Sequence, residues 1–175
     1  MLNPIETERL ILRPLVAEDV HRLFLLDSNP QVMKYVGQPV LTEPSQSQAV
    51  IEMIQAQYEK FGIGRFAVIE KESNLLIGWA GLKFVDYEVN NHQNFYEIGY
   101  RFLPDSWGKG YAAESNKPFV DRAFNEMGVK ELFAYAHEGN AGSHHVLQKL
   151  GFEIQEDFIE PDGRCIWFEH QNNSK

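Results

Sequence analysis

The segment Asp105-Ser106-Trp107-Gly108-Lys109-Gly110-Tyr111-Ala112-Ala113-Glu114 sets two glycines and two alanines between an apolar, strand-like run and an amphipathic helix. Side chains this small let backbone N–H groups come close to a ligand. A helix starting directly behind the loop adds partial positive charge at its N-terminus, so the ligand expected there is a phosphate or pyrophosphate.

The chain has 175 residues, enough for one domain with a sizeable core, and 43% hydrophobic with 23% charged residues is the profile of a globular protein. The expectation is a single domain over 1–170 and a frayed tail over 171–175. A formal net charge of −9 argues against nucleic-acid binding and is compatible with a cationic substrate. No apolar run approaches a membrane span, and the first residues lack the features of a signal peptide. The single cysteine, Cys165, sits in an alternating strand pattern and reads as a buried structural thiol, which fits a reducing, cytoplasmic setting.

Hydrophobic spacing divides the chain into strands and helices. Thr7 to Leu15 reads as a strand and Ala17 to Asp27 as a helix that Asn29-Pro30 ends. Ser45 to Phe61 is an amphipathic helix whose apolar stripe is expected to be Ala49, Val50, Met53, Ile54, Tyr58 and Phe61. Arg65 to Glu70 and Leu76 to Val85 form a hairpin about Lys71-Glu72-Ser73-Asn74, and Asp86 to Gln93 is a longer loop. Asn94 to Leu103 is a strand, Gly108 to Met127 the helix behind the glycine loop, and Val129 to His137 another strand. Asn140 to Leu150 is a short helix, with Gly151 and Phe152 closing it in a Schellman ending. Phe152 to Phe158 and Gly163 to His170 make the last strand pair. Pro118 predicts a kink or a break between Asn116 and Phe119, because a mid-helix proline removes a hydrogen bond. The sum is an α/β (α+β) fold with a mixed, mostly antiparallel sheet flanked by about four helices. Trp79, Phe84, Phe95 and Phe102 read as core.

Gly108-Lys109-Gly110-Tyr111-Ala112-Ala113 also fits G-x-G-x-x-A, the dinucleotide fingerprint, so an NAD-dependent oxidoreductase is one reading. Against it, Pro104-Asp105-Ser106-Trp107 separates the strand from the first glycine, and several hairpin-like strands precede the loop. No Walker loop, no H-E-x-x-H and no G-x-S-x-G occurs. His144 and His145 point to different sides of a helix, so no metal site is expected.

Trp107-Gly108-Lys109-Gly110-Tyr111-Ala112 resembles the acetyl-CoA loop of the GNAT superfamily, and more narrowly its RimJ/RimL-type branch, which acetylates protein N-termini and related amines. Thr7-Glu8-Arg9-Leu10-Ile11-Leu12-Arg13-Pro14 is similar to that branch's opening strand, and Glu97-Ile98-Gly99-Tyr100 to the strand before the loop. Asn140-Ala141-Gly142-Ser143 with Gln148-Lys149-Leu150-Gly151-Phe152 resembles the Asn-x-x-Ser…Lys-x-Gly-Phe signature. Trp107 stands where the wider superfamily has Arg or Gln. The resemblance spans nearly the whole chain. It implies a GNAT-like fold, acetyl-CoA as cosubstrate and direct attack by an acceptor amine on the acetyl carbonyl. That amine would belong to a peptide N-terminus or a small molecule; a homodimer is compatible with this class.

The chemistry asks for a base, because an amine is mostly protonated at neutral pH. Glu97 resembles the glutamate that some GNAT enzymes use, with burial between Tyr96 and Ile98 expected to raise its pKa; a structural strand glutamate is the alternative. The resemblance further implies oxyanion donors at the backbone N–H of Phe102 or Leu103, and a pyrophosphate on the amides from Gly108 to Ala113, including Lys109 and Tyr111. Asn140 is a helix N-cap by residue type, and the resemblance adds a hydrogen bond to the pantetheine arm. Ser143 is the implied proton donor to the departing thiolate, with Tyr111 or Tyr135 as alternatives and a surface serine as the plain reading. A non-catalytic CoA-binding module would preserve the same loop.

Overall fold

The computed structural model describes residues 2–172. Among them the chain runs β1 (Ile5–Glu6), β2 (Leu10–Pro14), α1 (Val20–Asp27), α2 (Pro30–Met33), α3 (Pro44–Phe61), β3 (Arg65–Glu70), β4 (Leu75–Val85), β5 (Phe95–Phe102), α4 (Tyr111–Asn125), β6 (Glu131–His137), α5 (Ala141–Lys149), β7 (Glu153–Glu160) and β8 (Gly163–Gln171). One sheet takes all the strands in the order β1-β2-β3-β4-β5-β6-β8-β7. β1 to β5 pair antiparallel in chain order, with α1 to α3 inserted between β2 and β3 and turns or a loop joining the other pairs, whereas β5 and β6 are parallel. A parallel pair needs a crossover, and α4 is that crossover. It therefore starts directly beyond the C-terminal end of β5.

Both sheet faces are covered. β3 is buried along five of its six residues, as a strand packed on two sides must be. Ala67 and Ile69 meet Leu23 and Leu26 of α1 and Ile51 and Ile54 of α3. Phe66 and Val68, turned the other way, join Ile98, Phe119, Val120, Leu147 and Phe152 beneath α4 and α5. Val85, Val89, Phe95, Phe133 and Trp167 form a third cluster under the loop that follows β4.

Several expectations change in detail. The buried stripe of α3 is Ser47, Ile51 and Ile54, with half-buried Tyr58 continuing it at i+4; Met53, expected inside, is 57% exposed. Apolar type misled there, since a helix buries one direction whether or not every residue along it is apolar. Pro118 does not break α4, which runs through it from Tyr111 to Asn125. Both sides of the proline are anchored. Asn116, fully buried, accepts from Gly81 N at 3.2 Å and donates to Ala112 O at 2.8 Å, while Phe119, Val120 and Ala123 fill the core. This packing offsets the lost hydrogen bond, worth about 3 kcal/mol in an unsupported helix. Gln171, expected to fray, pairs with Glu131 in the sheet, and Asn172 N donates to Lys130 O at 2.8 Å; the rest of the expected tail, 173–175, lies outside the described residues. The Schellman ending is present: Gly151 has φ +92°, Phe152 N donates to Leu147 O and Gly151 N to Gln148 O, both at 3.0 Å.

Candidate active site

The site begins where β5 and β6 part. Among the described residues they share a single register pair, Glu97 with Phe133, so the ladder between them stops short of the C-terminal ends of both strands. Leu103 N donates to Ile77 O on β4 at 2.9 Å, so Leu103, one of the two expected oxyanion donors, has its N–H engaged in the sheet. Backbone N–H groups alternate in direction along a strand, which turns the N–H of Phe102 toward the gap instead. The Phe102 carbonyl is capped by Trp107 Nε1 at 2.8 Å, which ties the loop to the end of β5.

The glycine loop lies at the mouth of this gap. Gly108 and Gly110 take φ of +71° and +81°, where a side chain would be strained. A Cβ on Gly108 would meet nothing within 4 Å, and one on Gly110 only Arg9 Nη2 at 3.6 Å, so the outer side of the loop is open. Gly110 is the N-cap of α4, and no side chain caps that end among the described residues. The first N–H groups of the helix are therefore left for an anion. Tyr111 and Ala113 turn inward and are buried, Ala112 packs against the core, and Trp107 and Lys109 are exposed.

Thr7 and Arg9, part of the opening-strand motif, clamp the start of α4. Glu114 accepts from Thr7 Oγ1 at 2.6 Å, Arg9 N at 2.9 Å and Arg9 Nε at 2.8 Å. Burial pushes the Glu114 carboxyl up, but the hydrogen bonds from Thr7 and Arg9 outweigh it and hold the group below its usual value. Arg9 also lies 4.5 Å from the centroid of the Tyr111 ring, whose hydroxyl donates to Glu70 at 2.7 Å. That contact engages Tyr111 away from α5.

Ser143 faces the gap from the other side. Asn140 caps α5 as expected, its side-chain oxygen accepting from Ser143 N at 3.2 Å, and its amide nitrogen has no partner among the described residues. The Ser143 hydroxyl lies 3.0 Å from the Tyr100 hydroxyl, which also donates to the Ser143 carbonyl at 3.0 Å. Burial pushes the Tyr100 phenol well up, against the Ser143 contact, so it acts as a neutral donor. Tyr100 is a candidate residue the motifs missed. Strand alternation was the available signal: Tyr96, Ile98, Tyr100 and Phe102 share the face beneath α4 and α5. Tyr135, the other alternative, stacks 6.1 Å from Trp167 on the opposite face, with Glu97 and Arg65 near its hydroxyl.

Glu97 is turned to that opposite face. Its side chain is 13% exposed, as burial between Tyr96 and Ile98 required, but it is not alone. Arg65 Nη2 holds Glu97 Oε1 at 2.5 Å and Arg65 Nη1 donates to the Glu97 carbonyl at 3.0 Å, leaving Oε2 without a partner among the described residues. Burial lowers the pKa of Arg65, and the Glu97 carboxylate opposes that shift. The guanidinium lies over Gly99, where a Cβ would come within 2.5 Å of Nη2. Trp79, expected in the apolar core, is half-buried and in contact with two cations, its ring centroid 5.4 Å from Arg65 and 5.1 Å from Arg101.

The described residues contain no group of three His, Cys, Asp or Glu side chains placed to hold a metal ion. No described helix is long and apolar enough to cross a membrane. The geometry is thus a backbone cradle at a helix start, a short ladder between β5 and β6, a carboxylate on one face of β5 and a serine–tyrosine pair on the other.

The family model for the acetyltransferase (GNAT) domain matches residues 9–153. The chain belongs to the GNAT acetyltransferases. An uncharacterised N-acetyltransferase, p20, from Bacillus licheniformis is 31% identical over 168 residues, covering 94% of this chain and 92% of that protein. Two solved structures share the fold. Ribosomal-protein-S5-alanine acetyltransferase from Vibrio fischeri superposes with a TM-score of 0.79 at 16% identity, covering 98% of both chains. Spermidine N-acetyltransferase from Vibrio cholerae, in complex with CoA and spermine, gives 0.75 at 19% identity, covering 95% of this chain and 97% of that one. The GNAT assignment displaces the dinucleotide reading of the glycine loop, which called for a parallel sheet from the N-terminus; β1 to β5 are antiparallel.

Proposed function

We propose that this GNAT N-acetyltransferase holds acetyl-CoA in the gap between β5 and β6 and transfers the acetyl group directly to a primary amine, as a cytoplasmic enzyme of the RimJ/RimL-like branch. The observation that carries the reading is the alternation of β5: Glu97 and Tyr100 stand on opposite faces of one strand, where its ladder with β6 ends. An amine can approach from the Glu97 face while the thiol departs toward Ser143 on the other. The opening-strand motif and the likeness in fold to a ribosomal-protein acetyltransferase support the branch.

In this reading the amides from Gly108 to Ala113 and the free start of α4 take the pyrophosphate, and the Asn140 amide nitrogen takes the pantetheine arm. The Phe102 N–H faces the carbonyl oxygen as it gains charge, the donation that most lowers an acyl-transfer barrier. Arg65 fixes the Glu97 carboxylate through Oε1, and Oε2 is the oxygen that accepts the amine proton, directly or through water. The Ser143 hydroxyl donates a hydrogen bond to the departing sulfur, which takes its proton from water, while the proton Glu97 accepted from the amine returns to solvent. Tyr100 has one proton and two Ser143 oxygens within 3.0 Å, so it can follow the serine hydroxyl as that turns.

The test is thiol release from acetyl-CoA with a panel of amines, using the wild type, Glu97→Gln and Ser143→Ala. Loss of kcat in both variants with acetyl-CoA binding retained is the expected result. Unchanged turnover in both would remove these roles, and CoA binding without acetylation of any amine would favour a binding module.

A further inference from the structure

Trp79 contacts two arginines that are used differently. Arg65 is enclosed and directs its two terminal nitrogens at protein oxygens: Nη1 serves the carbonyls of Gly81 and Glu97, and Nη2 the Glu97 carboxylate. Arg101, 5.1 Å from the same ring centroid, engages only one nitrogen, Nη1, which donates to Asp27 Oδ1 at 2.5 Å. Its Nε and Nη2 have no partner among the described residues. Yet the Arg101 side chain is only 15% exposed, and that of Asp27 3%. Neither nitrogen is among the buried side-chain atoms left without a partner in the described residues, so this edge is open to solvent and to a ligand, and an ion pair serving stability alone would gain by using it.

A guanidinium held against an aromatic face and anchored at one corner, with the other edge open, matches a planar anion with two oxygens. Asp27 fixes it in place, and Arg65 adds a second positive charge against the same Trp79 ring. The position matters as much as the chemistry. Arg101 directly precedes Phe102, and it lies four residues from Glu97 on the same face of β5, roughly 13 Å along the strand. That is the face from which the amine approaches.

We infer that the acceptor is a small amine that also carries a carboxylate, and that the open edge of Arg101 binds that carboxylate. The inference rests on the proposed use of the Glu97 face by the acceptor. It disfavours simple polyamines, which have cations at both ends.

The experiment compares matched amines that differ only in the carboxylate, L-lysine with 1,5-diaminopentane and L-ornithine with 1,4-diaminobutane. The kcat/KM for each is measured in the wild type, Arg101→Gln and Arg101→Lys, alongside the melting temperature with and without acetyl-CoA. The wild type should favour the carboxylate-bearing member at least about tenfold, the usual weight of a charge-assisted pair. Arg101→Gln should bring the ratio to about one and Arg101→Lys should keep part of it, with the stabilisation by acetyl-CoA unchanged in both. Equal or better use of the diamines by the wild type would overturn the inference. So would turnover of neither member, or an Arg101→Gln protein with a lower melting temperature and an unaltered ratio. A wild type that acetyl-CoA does not stabilise would instead overturn the underlying acetyl-CoA reading, and the inference with it.

Discussion

The hydroxyls of Tyr100 and Ser143 lie 3.0 Å apart, linking β5 to the first turn of α5 across the end of the sheet gap. If the two act as one unit, their effects on the rate will not add. Ser143→Ala should lower kcat by about 10²-fold, the usual range for a lost hydrogen-bond donor to developing negative charge, and Tyr100→Phe by about tenfold. The double variant should match Ser143→Ala, with KM for acetyl-CoA little changed throughout. A double-mutant cycle on kcat checks this, and multiplicative losses would show the contact to be incidental.

Gly99 leaves room for the guanidinium of Arg65. A Cβ at that position would fall 2.5 Å from Nη2 and 2.8 Å from Cζ, and the buried arginine has little freedom to retreat. Gly99→Ala should cost about 1–3 kcal/mol through overpacking and should disturb Glu97 as well. Urea unfolding and kcat together check it. A variant with wild-type stability would show that Arg65 is mobile.

These two contacts mark where the sequence stops being readable. The hairpin of β3 and β4, the Asn140 cap and the Gly151 ending rest on neighbours a few residues apart, and local chemistry revealed them. The glycine loop was legible because φ values of +71° and +81° need glycine and the helix follows at once. Arg65 meets Glu97, and Tyr100 meets Ser143, only after the sheet has assembled, so no spacing along the chain announces either pair. The exposure of Met53 and the continuity of α4 through Pro118 were misread for a related reason. Each depends on which direction tertiary packing anchors, and helix propensity does not encode that.

Glu114 makes the start of α4 sensitive to acid. Its carboxyl is held below the ordinary 4.5 by Thr7 and Arg9 in the folded protein and released to that value on unfolding. The stabilisation is therefore complete above about pH 4.5 and is lost as the pH falls through the lower folded value. Arg9→Ala should destabilise the protein more at pH 6 than at pH 3.5, as chemical denaturation at the two values will show. An equal loss at both would mean that Arg9 acts by packing alone.

Cys165 is 4% exposed, and burial pushes its thiol up to about 11 with Asp162, Glu160 and Glu138 adding to the shift. Little thiolate exists at pH 8, so a thiol reagent should label the native protein far more slowly than the denatured one. Stoichiometric labelling of the native state within minutes would contradict the burial.

The central claim is that the cradle from Gly108 to Ala113 receives acetyl-CoA. Thermal unfolding with acetyl-CoA, CoA and NADH in parallel tests it most directly. A ligand that binds only the folded state at about 100 times its dissociation constant adds about 2.7 kcal/mol. For a chain of this size that is a rise of roughly 5–10 °C. We expect acetyl-CoA and CoA to produce it and NADH to leave the melting temperature unchanged. A rise with NADH alone, or with none of the three, would contradict the account.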